Sequence, residues 1–301
     1  MNETVHTMTT RPSELGEAAA EGIGELLRRG TRGAPIATYA ESEPPISWAT
    51  IAEGGWDQFG VLDGSDGASL RDLVELARAW GRGCVQQPLL PSLMAKRHSA
   101  AAATHDGAVT LALPLPNGNS AYVAFGQRED VVVATGLGSG SDELVPPPDG
   151  TPDTLAIVSQ GLETEGLRTQ LSVSVAREIA VVMAAGVTGA AERVLAETLD
   201  FARERQQFGK PIGSFQAIKH RLADAAIDAE MAETAVIWAA ERAEESFRGA
   251  LFAVDRCIDI LETCIQVYGG LGFTWEMGLH FPLRQMILTR DLVHALEVEH
   301  G

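Results

Sequence analysis

The segment RERQQFGKPIGSFQAIKHRLAD, residues 203–224, gathers positive charge against the trend of its chain. Arg203, Arg205, Lys210, Lys219 and Arg221 stand there against Glu204 and Asp224, in a 301-residue sequence of formal net charge −18. Phe208 and Gly209 precede Lys210-Pro211 at a break between two long helical patterns. A guanidinium grips a pyrophosphate through paired hydrogen bonds, and a neighbouring ring packs on a base or sugar. The same cations would also neutralise the negative end of a helix and cover its apolar stem, so the segment alone fits either role. A second stretch, QVYGGLGFTWE at 266–276, sets Gly269, Gly270 and Gly272 beside Gln266 and Phe273 at the end of another helical pattern. One glycine suffices to cap a helix; three suggest backbone that something else approaches closely.

Other chemistries find little support. The acidic balance repels phosphate on average, which argues against nucleic acid and anionic membrane surfaces as partners. Cys84, Cys257 and Cys264 have no Cys-x-x-Cys spacing, and the last two lie on one apolar helical stripe, as core residues do. The seven histidines, among them His98, His105 and His280, show no ligand spacing, so no metal site is expected. GLGSGS at 136–141 has the wrong spacing for a dinucleotide fingerprint and runs into SDELVPPP rather than a helix. No apolar run long enough to cross a bilayer and no secretory signal is expected, which makes the cytoplasm the default location.

The elements that must position these residues follow from periodicity. Residues 1–12 read as a disordered tail. Residues 13–105 read as a helical domain: SELGEAAAEGIGELLRR, a second helix capped by Ser47, the segment SLRDLVELARAWGRG, and a short helix after Pro91. Ser69 and Asp72 form a capping box, and Leu70, Leu73, Val74, Ala77 and Trp80 share a face. Residues 106–170 change texture. AVTLALP, SAYVAFGQ, DVVVATG and TLAIVSQ predict a small antiparallel β region. Residues 171–301 return to helical period, with Ser214 capping the second of four long helices in an antiparallel bundle. The fold class is therefore mainly α with a small β domain.

The two glycine- and cation-bearing stretches, in this order and density, resemble the C-terminal domain of acyl-CoA dehydrogenases. WATIAEGGWDQFGVL and LVELARAWGRGCVQQPLLPS are similar, more weakly, to that family's N-terminal helical domain, so the resemblance touches most of the chain and weakens in the middle. It implies a helical domain, a β domain and a four-helix bundle, with FAD bound between subunits. The positions matching Arg205 and Phe208 hold the diphosphate and adenine end of an FAD seated mainly on a neighbouring subunit. Gln266, Gly269 and Gly270 fall on further cofactor-holding positions.

The sequence also departs from the family. Where the family's β domain carries Thr-Glu-Pro-x-x-Gly-Ser and a Trp-x-Thr/Ser segment, this chain reads LALPLPNGNSAY, keeping Pro116 and Gly118 alone. The family's base is a carboxylate that removes the α-proton while the flavin takes the β-hydride. One base location matches Glu297, counting from Pro282. The other falls on Ile179, one residue beyond Glu178, and one residue turns a helical side chain by about 100°. Both glutamates also fit as solvated helix charges. Together these departures resemble the reduced subunit of a heteromeric acyl-CoA dehydrogenase of the actinobacterial steroid-side-chain type. That resemblance implies an α2β2 assembly with a second acyl-CoA dehydrogenase-like subunit, an acyl-CoA substrate, a base that lies on either chain, and an electron-transfer flavoprotein as acceptor. A self-sufficient homo-oligomer and a flavin-free assembly subunit are the competing readings.

Overall fold

The computed structural model describes residues 11–40, 43–62, 67–115, 120–137, 143–152, 162–165 and 171–300. The expected tail up to residue 10, the strand TLAIVSQ, and Pro116 and Gly118 lie outside the described residues.

Helix α1 (Glu14–Thr31) starts where the Ser13 hydroxyl accepts from the Gly16 amide. Ser13 also donates to the Asp72 carboxylate at 2.5 Å, so one acid joins two helix starts. Short helices α2 (Ile36–Ala40) and α3 (Trp48–Glu53, capped by Ser47) lead to α4 (Leu70–Gly81). The Ser69–Asp72 capping box forms as the spacing predicts. Helix α5 (Leu89–His98) begins two residues before Pro91, which its first turn tolerates because that proline has no amide proton to leave unpaired. A single turn, α6 (Ala100–Ala103), closes this part.

The small sheet contains β1 (Ala108–Pro114), β2 (Ser120–Val123), β3 (Val131–Thr135), β4 (Glu143–Val145), β5 (Thr151–Pro152) and β6 (Leu162–Glu165), ordered β4-β3-β1-β2-β6-β5. It is not wholly antiparallel: β1 and β3 run parallel, in register from Ala108↔Val131 to Leu111↔Ala134. Strand β1 is buried through Leu113, because α5 packs on the sheet and Ser92 ties the two layers. The Ser92 hydroxyl donates to the Val109 carbonyl and accepts from the Val109 amide.

The bundle comprises α7 (Val173–Glu204), α8 (Gln216–Glu241), α9 (Ser246–Tyr268) and α10 (His280–His300). Helix α7 is the spine. Contrary to the sequence expectation, it is long and apolar enough by composition to span a membrane. Its most apolar window is, however, 78% buried, because its alanines and glycines pack against α4, α8, α9 and α10. Where α4 crosses α7 the backbones touch: a Cβ built on Gly81 would lie 1.8 Å from the Gly186 carbonyl oxygen, and one on Gly189 1.9 Å from that of Arg78. Arg78 seals the crossing through Glu192 of α7 (2.7 Å) and Glu233 of α8 (2.6 Å). Cys257 and Cys264 are buried in the bundle, and burial pushes their thiols up to about 12 and about 11.

Ser214 does not cap α8. It lies in the 3-10 turn Ile212–Ser214, and Phe215 occupies the cap position with no side-chain hydrogen bond. The one-residue difference follows from the hairpin described next, which takes up residues that would otherwise reach the helix start.

Candidate cofactor-holding end and acyl cavity

Helix α7 stops at Glu204 because Arg205 turns to an extended conformation, its amide still donating to the Phe201 carbonyl. The chain then makes a hairpin of two-residue strands, β7 (Gln206–Gln207) and β8 (Lys210–Pro211). Its two central residues, Phe208 and Gly209, both have positive φ, 52° and 79°. Such a turn matches the twist of the flanking strands, but it usually takes Asn or Gly first. Phenylalanine there is conformationally costly, and its ring gains no burial in return, being 92% exposed. Strain and exposure together mark a residue kept for contact with something outside the chain. Arg205, Lys210, Lys219 and Arg221 enter no ion pair among the described residues; Lys210 sits over the Phe215 ring at 4.2 Å.

The glycine stretch lies at the same end of the bundle. Phe201, one turn before Arg205, stacks on Tyr268, the last residue of α9, with ring centroids 4.4 Å apart. Burial pushes the Tyr268 hydroxyl up to about 12, so it remains a neutral packing group. Beyond it the three glycines do different things. Gly269 has φ 63° and ψ −133°, a conformation that belongs to glycine. Gly272 fits against α9, where a Cβ would lie 2.5 Å from the Ile265 carbonyl oxygen. At Gly270, and at Gly269 too, a Cβ would meet nothing within 4 Å. That backbone is bare toward solvent, with Gln266, Leu271, Phe273 and Trp275 exposed around it. Unpaired cations, an uncovered ring and bare backbone fit a dinucleotide's phosphates and base.

A separate cavity of about 160 Å³ opens at the α4–α7 crossing, walled also by α5, β1, β2 and α10. Its lining is mainly apolar, with Leu90, Met94, Leu111, Ile179 and Met183 among the contributors. The polar groups are Gln86, Gln87, Tyr122, Gln285, Thr289 and the Cys84 thiol, which burial pushes up to about 11. Gln87 is already engaged, donating to the Ile46 carbonyl and accepting from Arg128, each at 2.8 Å. Among the described residues, no acidic or basic side chain lines this cavity.

The two candidate bases stand outside it. Glu178 turns away from the wall that its neighbour Ile179 forms, as a 100° step on a helix requires. It binds Arg97 at 2.7 Å and His98 at 3.0 Å, and Arg97 continues to the carbonyls of Gly60 and Ala68. Burial is the largest effect on the Glu178 carboxyl and disfavours its charge. The His98 hydrogen bond and the neighbouring charges of Arg97 and His98 outweigh burial, and hold the carboxyl below its usual range. Glu297 is half-exposed near the end of α10, 3.5 Å from His294.

Sequence reasoning missed the cavity's polar groups, which separate segments bring together, and the Arg78–Glu192–Glu233 cluster, in which Arg78 pairs with carboxylates more than a hundred residues away.

Comparisons with known proteins agree with this architecture. Residues 176–290 match the family model described as acyl-CoA dehydrogenase, C-terminal domain. Acyl-CoA dehydrogenase IpdE2 of Mycobacterium tuberculosis is 33% identical over 234 residues, covering 74% of this chain and 73% of its own length. Acyl-CoA dehydrogenase FadE34 of the same organism is 32% identical over 79% of this chain but only 39% of its own length. Among solved structures, the ChsE4-ChsE5 complex of M. tuberculosis superposes with a TM-score of 0.75 at 19% identity, over 97% of this chain and 98% of that one. A steroid ACAD, Tcur3481-Tcur3483, gives 0.72 at 21% identity, over 95% and 97%. The chain belongs to the acyl-CoA dehydrogenase family, as the sequence resemblance implies.

Proposed function

We propose that this chain is one subunit of an FAD-dependent enzyme that dehydrogenates an acyl-CoA thioester between Cα and Cβ, and that it lends part of the FAD site to a partner chain. One observation carries the division of labour. Arg205 lies fifteen residues beyond Ala190, the last cavity-lining residue of α7, which is roughly 22 Å of helix. The phosphate-holding end and the acyl-sized cavity of this chain therefore suit different copies of the cofactor.

Bound FAD supplies the hydride acceptor. Arg205 would pair with its diphosphate, Phe208 would pack against its adenine end, and Gln266 with the open backbone surface at Gly269 and Gly270 would complete the cradle. Arg205 works best here because its guanidinium is planar and permanently charged. With no carboxylate among the described residues that line this chain's cavity, the α-proton goes to a base on the partner, unless assembly brings Glu297 or Glu178 to the substrate. The partner is a second acyl-CoA dehydrogenase-like subunit in an α2β2 complex, as the paired names of the two structural neighbours suggest. The acyl class is a steroid side-chain ester, suggested by the description of one neighbour. An electron-transfer flavoprotein reoxidises the cofactor, and the complex works in the cytoplasm.

Flavin absorbance of the chain purified alone, and co-purified with a co-expressed partner, tests this. Colour only in the complex, bleached by acyl-CoA, supports the shared site. Colour in the chain alone would establish the homo-oligomer, and colour in neither would refute FAD chemistry. Within the complex, Arg205→Ala removes a charge-assisted pairing and should weaken FAD binding roughly ten- to hundredfold. The far-ultraviolet circular dichroism should not change, because the Arg205 side chain is exposed.

A further inference from the structure

The cavity at the α4–α7 crossing has a definite size, charge and polarity, and these select a ligand. Its volume of about 160 Å³ is close to that of an engineered cavity that takes benzene, about 150 Å³. It therefore accommodates one six-membered ring or a short branched chain, whereas a fused four-ring nucleus is too large to lie wholly inside it. Among the described residues its lining offers no Asp, Glu, Lys, Arg or His, so a charged group would be desolvated without a partner. The Cys84 thiol stays protonated and donates to the Gly81 carbonyl. With Gln87 and Tyr122 already engaged, three polar groups remain. Gln285 and Thr289 stand four residues apart on one face of α10, and Gln86 faces them from the α4–α5 loop. Among the described residues none of these three side chains makes a hydrogen bond, unlike Gln87 beside them.

We propose that this cavity binds an uncharged group of one ring or a short branched chain, whose hydroxyl or keto oxygen bonds with Gln86, Gln285 or Thr289. Reading that group as the acyl end of a CoA thioester rests on the function proposed above, and narrows it. A four-ring nucleus must then lie outside this chain's cavity.

Binding needs neither cofactor nor partner, so it can be measured on the purified full chain by calorimetry and ligand-observed NMR. The probes are cyclohexanone, benzene, cyclohexanecarboxylate and a four-ring 3-keto steroid. Cyclohexanone and benzene should bind saturably and compete, the carboxylate should bind at least about tenfold more weakly, and the steroid should not displace cyclohexanone. Thr289→Val and Gln285→Leu keep the volume but lose a hydrogen-bonding group. Each should weaken cyclohexanone about three- to tenfold and leave benzene unchanged. Ala190→Leu, which fills the cavity, should abolish both; should it fail to fold, the two polar variants decide alone. Absence of saturable binding, displacement by the steroid, equal binding of the carboxylate, or equal losses of benzene and cyclohexanone in the polar variants would overturn the proposal. Ketone binding without flavin bleaching by any acyl-CoA in the complex would instead refute the dehydrogenase role and leave the cavity's selectivity standing.

Discussion

A methyl group at Gly189 tests the helix crossing on which the cavity depends. An ideal Cβ at that position would lie 1.9 Å from the Arg78 carbonyl oxygen and 2.8 Å from its carbon, whereas ordinary contact begins at 3.4 Å. The helices would have to part by about 1.5 Å at that point. Two effects of opposite sign compete in Gly189→Ala. Alanine is favoured over glycine inside a helix by about 1 kcal/mol. Overpacking a tight core costs about 1–3 kcal/mol, and the upper end applies because both colliding groups belong to backbones that cannot rotate aside. The balance is a loss of about 2 kcal/mol. Gly24→Ala on α1 supplies the contrast: its nearest neighbour would be the tip of Arg28 at 3.5 Å, so the propensity gain stands unopposed. That variant should be about 0.5–1 kcal/mol more stable than the parent. Urea unfolding followed by circular dichroism, extrapolated linearly to water, measures both. If Gly189→Ala matched or exceeded the parent, the crossing would be looser than described, and the cavity wall formed by Gly81 and Gly186 would lose its physical basis.

Other outcomes follow from the buried charges and the exposed tip. Lys96 is fully buried against Asp57 at 2.5 Å and donates to the His105 carbonyl. Lys96→Met should therefore cost about 3–5 kcal/mol, and adding Asp57→Leu should recover most of it, as thermal and urea unfolding would show. Because the Glu178 carboxyl is held below its unfolded value of 4.5, its contribution is complete above that pH and disappears as pH falls through the lowered folded value. The stability gap between the parent and Glu178→Gln should thus close on acidification; a gap that persisted at the acid end would assign the loss to packing instead. Phe208→Ala should leave unfolding unchanged, since the ring is 92% exposed, while reducing FAD retained by the complex on gel filtration.

Local chemistry made much of this protein legible. Ser13, Ser47 and Ser69 mark three helix starts because a hydroxyl at a helix N-terminus satisfies an otherwise unpaired amide within three residues. The cation-rich segment after Phe201 and the glycines after Tyr268 announced themselves as chain breaks with unusual composition. Ser214 misled because a capping serine is also a common turn residue, and the hairpin ahead of it took priority. The parallel pairing of β1 with β3 was equally hidden, since alternation of residue types sets which face is buried but not which way a neighbour runs.

The sequence by itself determined the helices, the bundle, the family and the two stretches of unusual cation and glycine content, because caps, periods and glycine conformations act within a few residues. Only the tertiary structure decided how they meet. It stacked Phe201 on Tyr268 and so brought both stretches to one end of the bundle, and it turned Glu178 toward Arg97 while Ile179 faces the cavity. It also assembled Gln86, Gln285 and Thr289 around a space with no charged side chain among the described residues of its walls. Those outcomes depend on helix crossings between segments far apart in the chain, where close backbone contact rather than local preference sets the geometry.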